Sequence, residues 1–253
     1  MTSIVSAFVL LASPTAKETI ERSWDETLVS GHRGAASMHP ENTPAAFAAG
    51  MSSGAVAVEC DVHMSQDGVP FVIHDKTLDR TTKGKGAVKD HSARQLQDLG
   101  VPTLEQIVLQ AKGKSILVIE IKDGKGVVPA VAKLVRQHGT EAHTIIFSFT
   151  GGYVREAKEL LPTVPAIWLV SKAYTPPEFG ELDALRRDYR ADGIGFSYKT
   201  LTKELADHVR GSKVPLFVWT VPPGDEVARL KALRVNFIIT DHPREVGGLL
   251  AGG

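Results

Sequence analysis

Two short patterns in this chain concentrate acidic and basic groups at fixed spacing: Glu59-Cys60-Asp61 and Glu120-Ile121-Lys122. On a β-strand, residues i and i+2 share a face. Glu59 and Asp61 therefore project the same way, with Cys60 opposite, and Glu120 and Lys122 share a face likewise. Three carboxylates brought together repel one another, and an unpaired buried charge is costly. Something cationic must compensate. Oxygen-only ligands favour Mg²⁺ or Ca²⁺ over softer metals. Two histidines, His32 and His74, belong to neighbouring segments, and imidazole gives and takes protons near neutral pH. Three carboxylates and one divalent cation leave a single negative charge. A phosphodiester would add another, which Arg33 and Lys122 are placed to offset.

Each of these groups also has a plainer explanation. Glu120 and Lys122 alone read better as a salt-bridged pair. Glu59 and Asp61 could be a strand end paired with arginines. His74 alone could be an ordinary surface or core histidine. Asp75, Asp79 and Arg80 read as an ion-paired turn. His39, His63, His91, His138, His143, His208 and His242 read as solvated or structural, with His63 nearest the site.

The elements that must position these groups follow from the hydrophobic pattern. Strands are expected over Thr27–Gly31, Ala55–Asp61, Ile116–Lys122, Thr144–Phe149, Ala166–Val170, Gly193–Phe196, Leu216–Val221 and Phe237–Thr240. Most are continuous apolar runs, as in strands covered on both faces. Helical spacing lies between them. Leu104, Ile107, Val108 and Ala111 fall on one face, as do Val128, Val131, Ala132 and Val135. Thr43-Pro44 reads as an N-cap followed by proline at the first helical position, with Phe47, Ala48 and Met51 inward. Tyr153–Leu161 is stopped by Pro162, and Asp225–Leu233 places Val227 and Leu230 on one face. Eight such units predict an α/β fold of the TIM (β/α)₈ type. An open doubly wound sheet is the alternative, but Gly31-His32-Arg33-Gly34 does not fit its usual glycine-rich first turn.

One run breaks the rhythm. Val69–His74 follows Asp61 too closely for a parallel crossover. It should pair antiparallel with the end of the second strand, across a turn at Gln66-Asp67-Gly68. Residues 62–102 are then an inserted cap within one barrel domain spanning 1–253. Active sites of such barrels lie at the C-terminal ends of the strands, where His32, Glu59, Asp61, Glu120 and Lys122 all fall.

The 253 residues carry 29 Lys+Arg and 29 Asp+Glu, so the net charge of zero offers no basic footprint for nucleic acid. The single cysteine, Cys60, excludes an intramolecular disulfide and a cysteine-based zinc site. It favours a reducing, cytoplasmic setting. Ile4–Ala12 is too short to span a bilayer. It reads as an N-terminal helix or, if the chain is exported, as a signal segment, although Met1-Thr2-Ser3 supplies no positive charge. No basic amphipathic helix suggests stable membrane association. Oligomeric state is not legible.

The residues occur in a familiar order. His32-Arg33-Gly34, Pro40-Glu41-Asn42-Thr43, Glu59-Cys60-Asp61, His74-Asp75 and Leu78-Asp79-Arg80-Thr81-Thr82 are followed by Pro102-Thr103-Leu104, Glu120-Ile121-Lys122, Val218-Trp219-Thr220-Val221 and Ile238–Pro243. From about residue 28 to 246 the chain resembles the glycerophosphodiester phosphodiesterase family. The resemblance implies a TIM barrel with a small insertion after the second strand. It implies hydrolysis of glycerophosphodiesters to glycerol 3-phosphate and an alcohol, with one divalent cation. It maps metal ligands onto Glu59, Asp61 and Glu120, the histidine pair onto His32 and His74, and phosphate contacts onto Arg33 and Lys122. Glu41 and Asn42 are read as supports that orient the first loop. Trp219 and Phe196 are read as lining the glycerol or alcohol pocket, and the cap as setting headgroup choice.

Four segments depart from the family pattern: Met38-His39, Ala55-Val56-Ala57, Ser148-Phe149-Thr150 and Arg234-Val235-Asn236-Phe237. They bear on substrate preference rather than reaction class. Two other readings are a lysophospholipase D-like or phospholipase C-like enzyme, and a barrel that binds phosphodiesters without turnover.

Overall fold

Strands alternate with helices along the described part of the chain. The computed structural model describes residues 13–252. Ile4–Ala12 lies outside the described residues. Nine strands form: β1 (Leu28–Gly31), β2 (Ala57–Met64), β3 (Pro70–Val72), β4 (Ile116–Asp123), β5 (Thr144–Ser148), β6 (Ala166–Val170), β7 (Gly193–Ser197), β8 (Leu216–Trp219) and β9 (Phe237–Thr240). The helices are α1 (Ala16–Arg22), α2 (Pro44–Met51), α3 (Ala93–Asp98), α4 (Leu104–Ala111), α5 (Val127–Gln137), α6 (Gly151–Leu160), α7 (Phe179–Asp188), α8 (Lys203–Gly211), α9 (Asp225–Ala232) and α10 (Pro243–Ala251).

All strands but β3 are parallel and run in the order β1-β9-β8-β7-β6-β5-β4-β2, and β1 pairs with β2 to close the ring. This is a TIM barrel. β3 lies outside the ring, antiparallel to the end of β2, with Val62 opposite Val72 and Met64 opposite Pro70. That pairing carries β2 three residues beyond Asp61, the expected end of the strand.

Period-two alternation divides the core into two shells. Along β6, Ile167 and Leu169 point into the barrel, while Ala166, Trp168 and Val170 face the helices. The interior is filled by such residues as Ile145, Phe147, Phe217 and Phe237. Phe217 stacks on Phe237 with ring centroids 4.5 Å apart. β7 offers Gly193 and Gly195 to this interior, with Ser197 at its end. A Cβ there would lie 2.7 Å from Ile167 Cδ1 or 2.6 Å from Leu169 Cδ2, so the glycines make room for both side chains.

The same parity corrects one expectation. Phe196 falls on the outer face of β7 and is fully buried among helix-facing side chains, so it does not reach the barrel mouth. A second correction concerns α2: Phe47 is buried as expected, but Ala48 is exposed and Ala46, Ala49 and Gly50 take the inner positions. Thr43 caps α2, its hydroxyl accepting from the Ala46 N–H, with Pro44 at the first turn.

Between β3 and α4 the chain builds a small apolar cluster of its own from Phe71, Ile73, Leu78, Val88, Leu96 and Val101. The Val72 N–H donates to Pro102 O and the Ile73 N–H to Asp61 O, tying this segment to the end of β2.

The opposite end of the barrel is held by buried Asn236. Its Oδ1 accepts from the Leu216 N–H at 2.8 Å, and its Nδ2 donates to Ser23 O at 3.1 Å and Ser23 Oγ at 3.0 Å. One side chain thus joins β8, the start of β9 and the end of α1. Truncating it orphans several buried polar groups. Asn236→Ala should lower unfolding stability by about 2–3 kcal/mol, measured by urea denaturation. A loss below about 0.5 kcal/mol, the range of a neutral surface change, would show that the clamp is dispensable.

Candidate active site

β2 and β4 are neighbours in the ring, with Glu59 paired to Val118 and Asp61 to Glu120. Odd-numbered positions of β2 and even-numbered positions of β4 point inward. The strands therefore deliver Glu59, Asp61 and Glu120 to one place, and one carboxylate oxygen of each lies within 4.8 Å of the others. All three are buried. Cys60, of opposite parity, is buried beneath the helices.

The oxygens of this trio are only partly satisfied. The Arg33 backbone N–H donates to Glu59 Oε2 at 2.9 Å, and Asn42 Nδ2 donates to Asp61 Oδ2 at 2.8 Å. Lys122 Nζ lies 2.7 Å from Glu120 Oε1 and 3.0 Å from Asp61 Oδ1. Neither of those oxygens has a well-aligned hydrogen bond, and Glu59 Oε1 has no partner among the described residues. Burial pushes the Glu59 carboxyl well up, and the charges of Asp61 and Glu120 add to this. Glu120 is raised for the same reasons, burial first and Asp61 second. Asp61 is held at about 2: burial would raise it, but the Lys122 and Arg33 charges prevail. An all-oxygen set with buried, unsatisfied acceptors has the donor chemistry of a hard divalent cation site.

The loop after β1 wraps this trio. Arg33 and Asn42 both adopt left-handed backbone, with φ of 49° and 57°. Gly34, at φ 88°, lets the loop lie against α2; a Cβ there would sit 2.5 Å from the Ala46 carbonyl carbon. The Gly34 N–H donates to Glu59 O, and the Asn42 N–H to Arg33 O. Glu41 accepts from Arg33 Nη1 at 2.8 Å. Glu41 thus touches the loop through Arg33, and Asn42 touches the trio through Asp61.

Each histidine of the expected pair carries a carboxylate on Nδ1. His32 Nδ1 lies 2.7 Å from Asp241 Oδ1. His74 Nδ1 lies 2.8 Å from Asp75 Oδ1. Nε2 of neither ring has a hydrogen-bond partner among the described residues. The two carboxylates fix the rings and leave Nε2 available for proton transfer. Asp75 is held well below the usual carboxylate range, chiefly by the Arg80 guanidinium. Burial lowers the His74 pKa, against the charge of Asp61. His63 also bears on this ring's placement: its Nε2 lies 3.0 Å from His74 O.

His32, Arg33, Glu59, His74, Glu120 and Lys122 form one wall of a cavity of about 120 Å³. The facing wall is apolar: Phe147, Phe149, Leu169, Trp219 and Ile239, with Thr220 at the edge. Phe149 and Trp219 meet edge to face, ring centroids 5.3 Å apart. The Trp219 indole Nε1 is buried with no hydrogen-bond partner among the described residues. The inserted segment contributes only His74 to this lining. A larger cavity, of about 520 Å³, lies beside Ser23, Leu28 and Val235 at the opposite end of the barrel, away from this chemistry.

Two roles were not read from sequence. Asp75 pairs with Arg80 as an ion-paired turn should, and it also orients His74. Asp241 directly follows β9, which closes against β1, so it meets His32. An acid just past the last barrel strand was the available signal. Phe149 likewise shares the inward parity of Ile145 and Phe147.

The model of the glycerophosphoryl diester phosphodiesterase family matches residues 32–245. The chain is 33% identical to a glycerophosphodiester phosphodiesterase of Caldanaerobacter subterraneus subsp. tengcongensis, over 90% of this chain and 99% of that one. The crystal structure of a glycerophosphodiester phosphodiesterase from Agrobacterium tumefaciens is similar with a TM-score of 0.74 and 25% identity, covering 88% of this chain and 99% of that one. An Oleispira antarctica phosphodiesterase, solved with the product sn-glycerol-3-phosphate, shares the fold with a TM-score of 0.80 and 22% identity, over 90% of this chain and 99% of that one. The family match takes in both histidines, the three acids and Asp241, and the chain belongs to the glycerophosphoryl diester phosphodiesterase family.

Proposed function

We propose that this phosphodiesterase hydrolyses glycerophosphodiesters to glycerol 3-phosphate and an alcohol, with Glu59, Asp61 and Glu120 holding one divalent cation, Mg²⁺ or Ca²⁺. The observation that carries the reading is the cavity with two carboxylate-anchored imidazoles beside the acidic trio. The Caldanaerobacter relative bears the name of this activity. A cation bound to the trio would polarise the phosphoryl group and offset the carboxylate charge.

The chain's own residues do the rest. Arg33 and Lys122 face the cavity and neutralise the diester. One imidazole takes the proton of the attacking hydroxyl at Nε2, either from water, or from the glycerol 2-hydroxyl to give a cyclic phosphate that water then opens to glycerol 3-phosphate. The other gives its Nε2 proton to the departing alkoxide. Asp241 and Asp75 hold the rings for this exchange. Trp219 and Phe149 present an apolar wall to the carbon side of the glycerol or alcohol. No helix among the described residues is long and apolar enough to cross a membrane. The buried thiol of Cys60 fits a cytoplasmic setting.

Glycerophosphocholine and glycerophosphoethanolamine should be cleaved to glycerol 3-phosphate, followed by ³¹P NMR. EDTA should abolish turnover, and Mg²⁺ or Ca²⁺ should restore it; full activity in chelator would remove the metal role. His32→Ala and His74→Ala should each lower kcat by about 10²- to 10⁴-fold. Normal turnover of either variant would take that residue out of the mechanism.

A further inference from the structure

One guanidinium outside the cavity touches the anchors of two residues inside it. Arg80 Nε donates to Asp75 Oδ2 at 2.7 Å, and Nη2 donates to Asp75 Oδ1 at 3.0 Å. Nη1 and Nη2 donate to Glu41 Oε2 and Oε1, both at 2.7 Å. Arg80 thus spans two carboxylates with four charge-assisted bonds. Each carboxylate has a second partner. Asp75 Oδ1 also meets His74 Nδ1, and Glu41 Oε1 also meets Arg33 Nη1. The relay His74–Asp75–Arg80–Glu41–Arg33 is therefore continuous. It joins the inserted segment to the loop after β1.

We propose that Arg80 is a positioning residue for the hydrolysis, setting His74 through Asp75 and Arg33 through Glu41. The role rests on the reading above, in which His74 moves a proton and Arg33 holds the phosphoryl group. Exposed ion pairs usually contribute little. This one differs in geometry. The side chains of Glu41 and Asp75 are only 19% and 28% exposed, and both are engaged bidentately. Without the cation between them, the two carboxylates lose their common donor and can relax towards solvent, each taking its dependent side chain along. Lysine cannot replace the fork, because an ammonium group is a point donor and cannot align four bonds to two carboxylates.

The test compares Arg80→Ala and Arg80→Lys on glycerophosphocholine with Mg²⁺ present. Arg80→Lys keeps the charge in case the alanine variant fails to fold. Both should lose roughly 10- to 100-fold in kcat/KM. Millimolar guanidinium should restore part of the loss in Arg80→Ala. The losses from Arg80→Ala and Asp75→Asn should not multiply in the double variant. The ring ¹⁵N resonances of His74, which report the Nδ1–H bond to Asp75, should shift in Arg80→Ala. Wild-type kcat/KM in both variants would overturn the role. So would multiplying losses with unshifted His74 nitrogens. If the unsubstituted protein fails to cleave the diester, the proposed reaction falls instead, and the His74 resonances still decide whether Arg80 fixes that ring.

Discussion

Mutual repulsion among Glu59, Asp61 and Glu120 is the constraint around which the rest is arranged. At about 5 Å and an effective dielectric of about 20, two like charges cost on the order of 3 kcal/mol. Three such pairs approach the whole net stability of an ordinary domain, about 5–15 kcal/mol. Kept ionised, the cluster must be offset; otherwise Glu59 and Glu120, whose carboxyls burial pushes up, take up protons instead. Lys122 between Asp61 and Glu120, Arg33 beside Asp61, and the donors of Asn42 and Arg33 N–H meet part of that demand. Glu59 Oε1, Asp61 Oδ1 and Glu120 Oε1 are left without an aligned hydrogen bond among the described residues, and one carboxylate oxygen of each acid lies within 4.8 Å of the others, an arrangement compatible with a divalent cation. The left-handed backbone at Arg33 and Asn42 is a local strain that brings donors to the trio.

Much of this was legible because it follows from period two. Glu59, Asp61 and Glu120 share an inward face with the apolar residues below them, so parity alone predicts their meeting once β2 and β4 are neighbours. The hairpin was legible from chain length, since Val62–Gly68 leaves no room for a crossover. Side-chain size, not parity, misleads where a strand carries glycine. In β7 the inward positions are Gly193 and Gly195, and the bulky Phe196 looks inward until the packing of Ile167 and Leu169 over those glycines is known. Strand ends were less legible than strands. β2 runs on to Met64 because β3 supplies a partner, an interaction from outside the segment.

Asp241 was hidden for a different reason. Its contact with His32 spans 209 positions and exists only because the ring closes between β1 and β9. A linear reading sees an acid after the last strand and a histidine after the first, with nothing to join them. Asp75 was partly hidden by its own neighbour: Arg80 explains its charge so well that its second partner, His74, needed no separate reason. The Asp75 carboxylate thus does two things, and local sequence reveals only the nearer.

The barrel and the inserted segment divide the chemistry unequally. The barrel strands and the loops that follow them supply the acids, the cavity-lining Arg33 and Lys122, His32 and the apolar wall. The insertion gives the cavity one side chain, His74. Its apolar cluster of Phe71, Leu78, Val88 and Leu96 is buried within the insertion and does not line the cavity, which suits a support for His74. A support must be registered against what it serves. The backbone bond from the Ile73 N–H to Asp61 O and the contact of His63 with His74 O set its position along β2. Arg80 ties its far side to Glu41. These attachments converge on the residues flanking His74, which is how a segment outside the ring brings an imidazole to the cavity lined by the barrel strands.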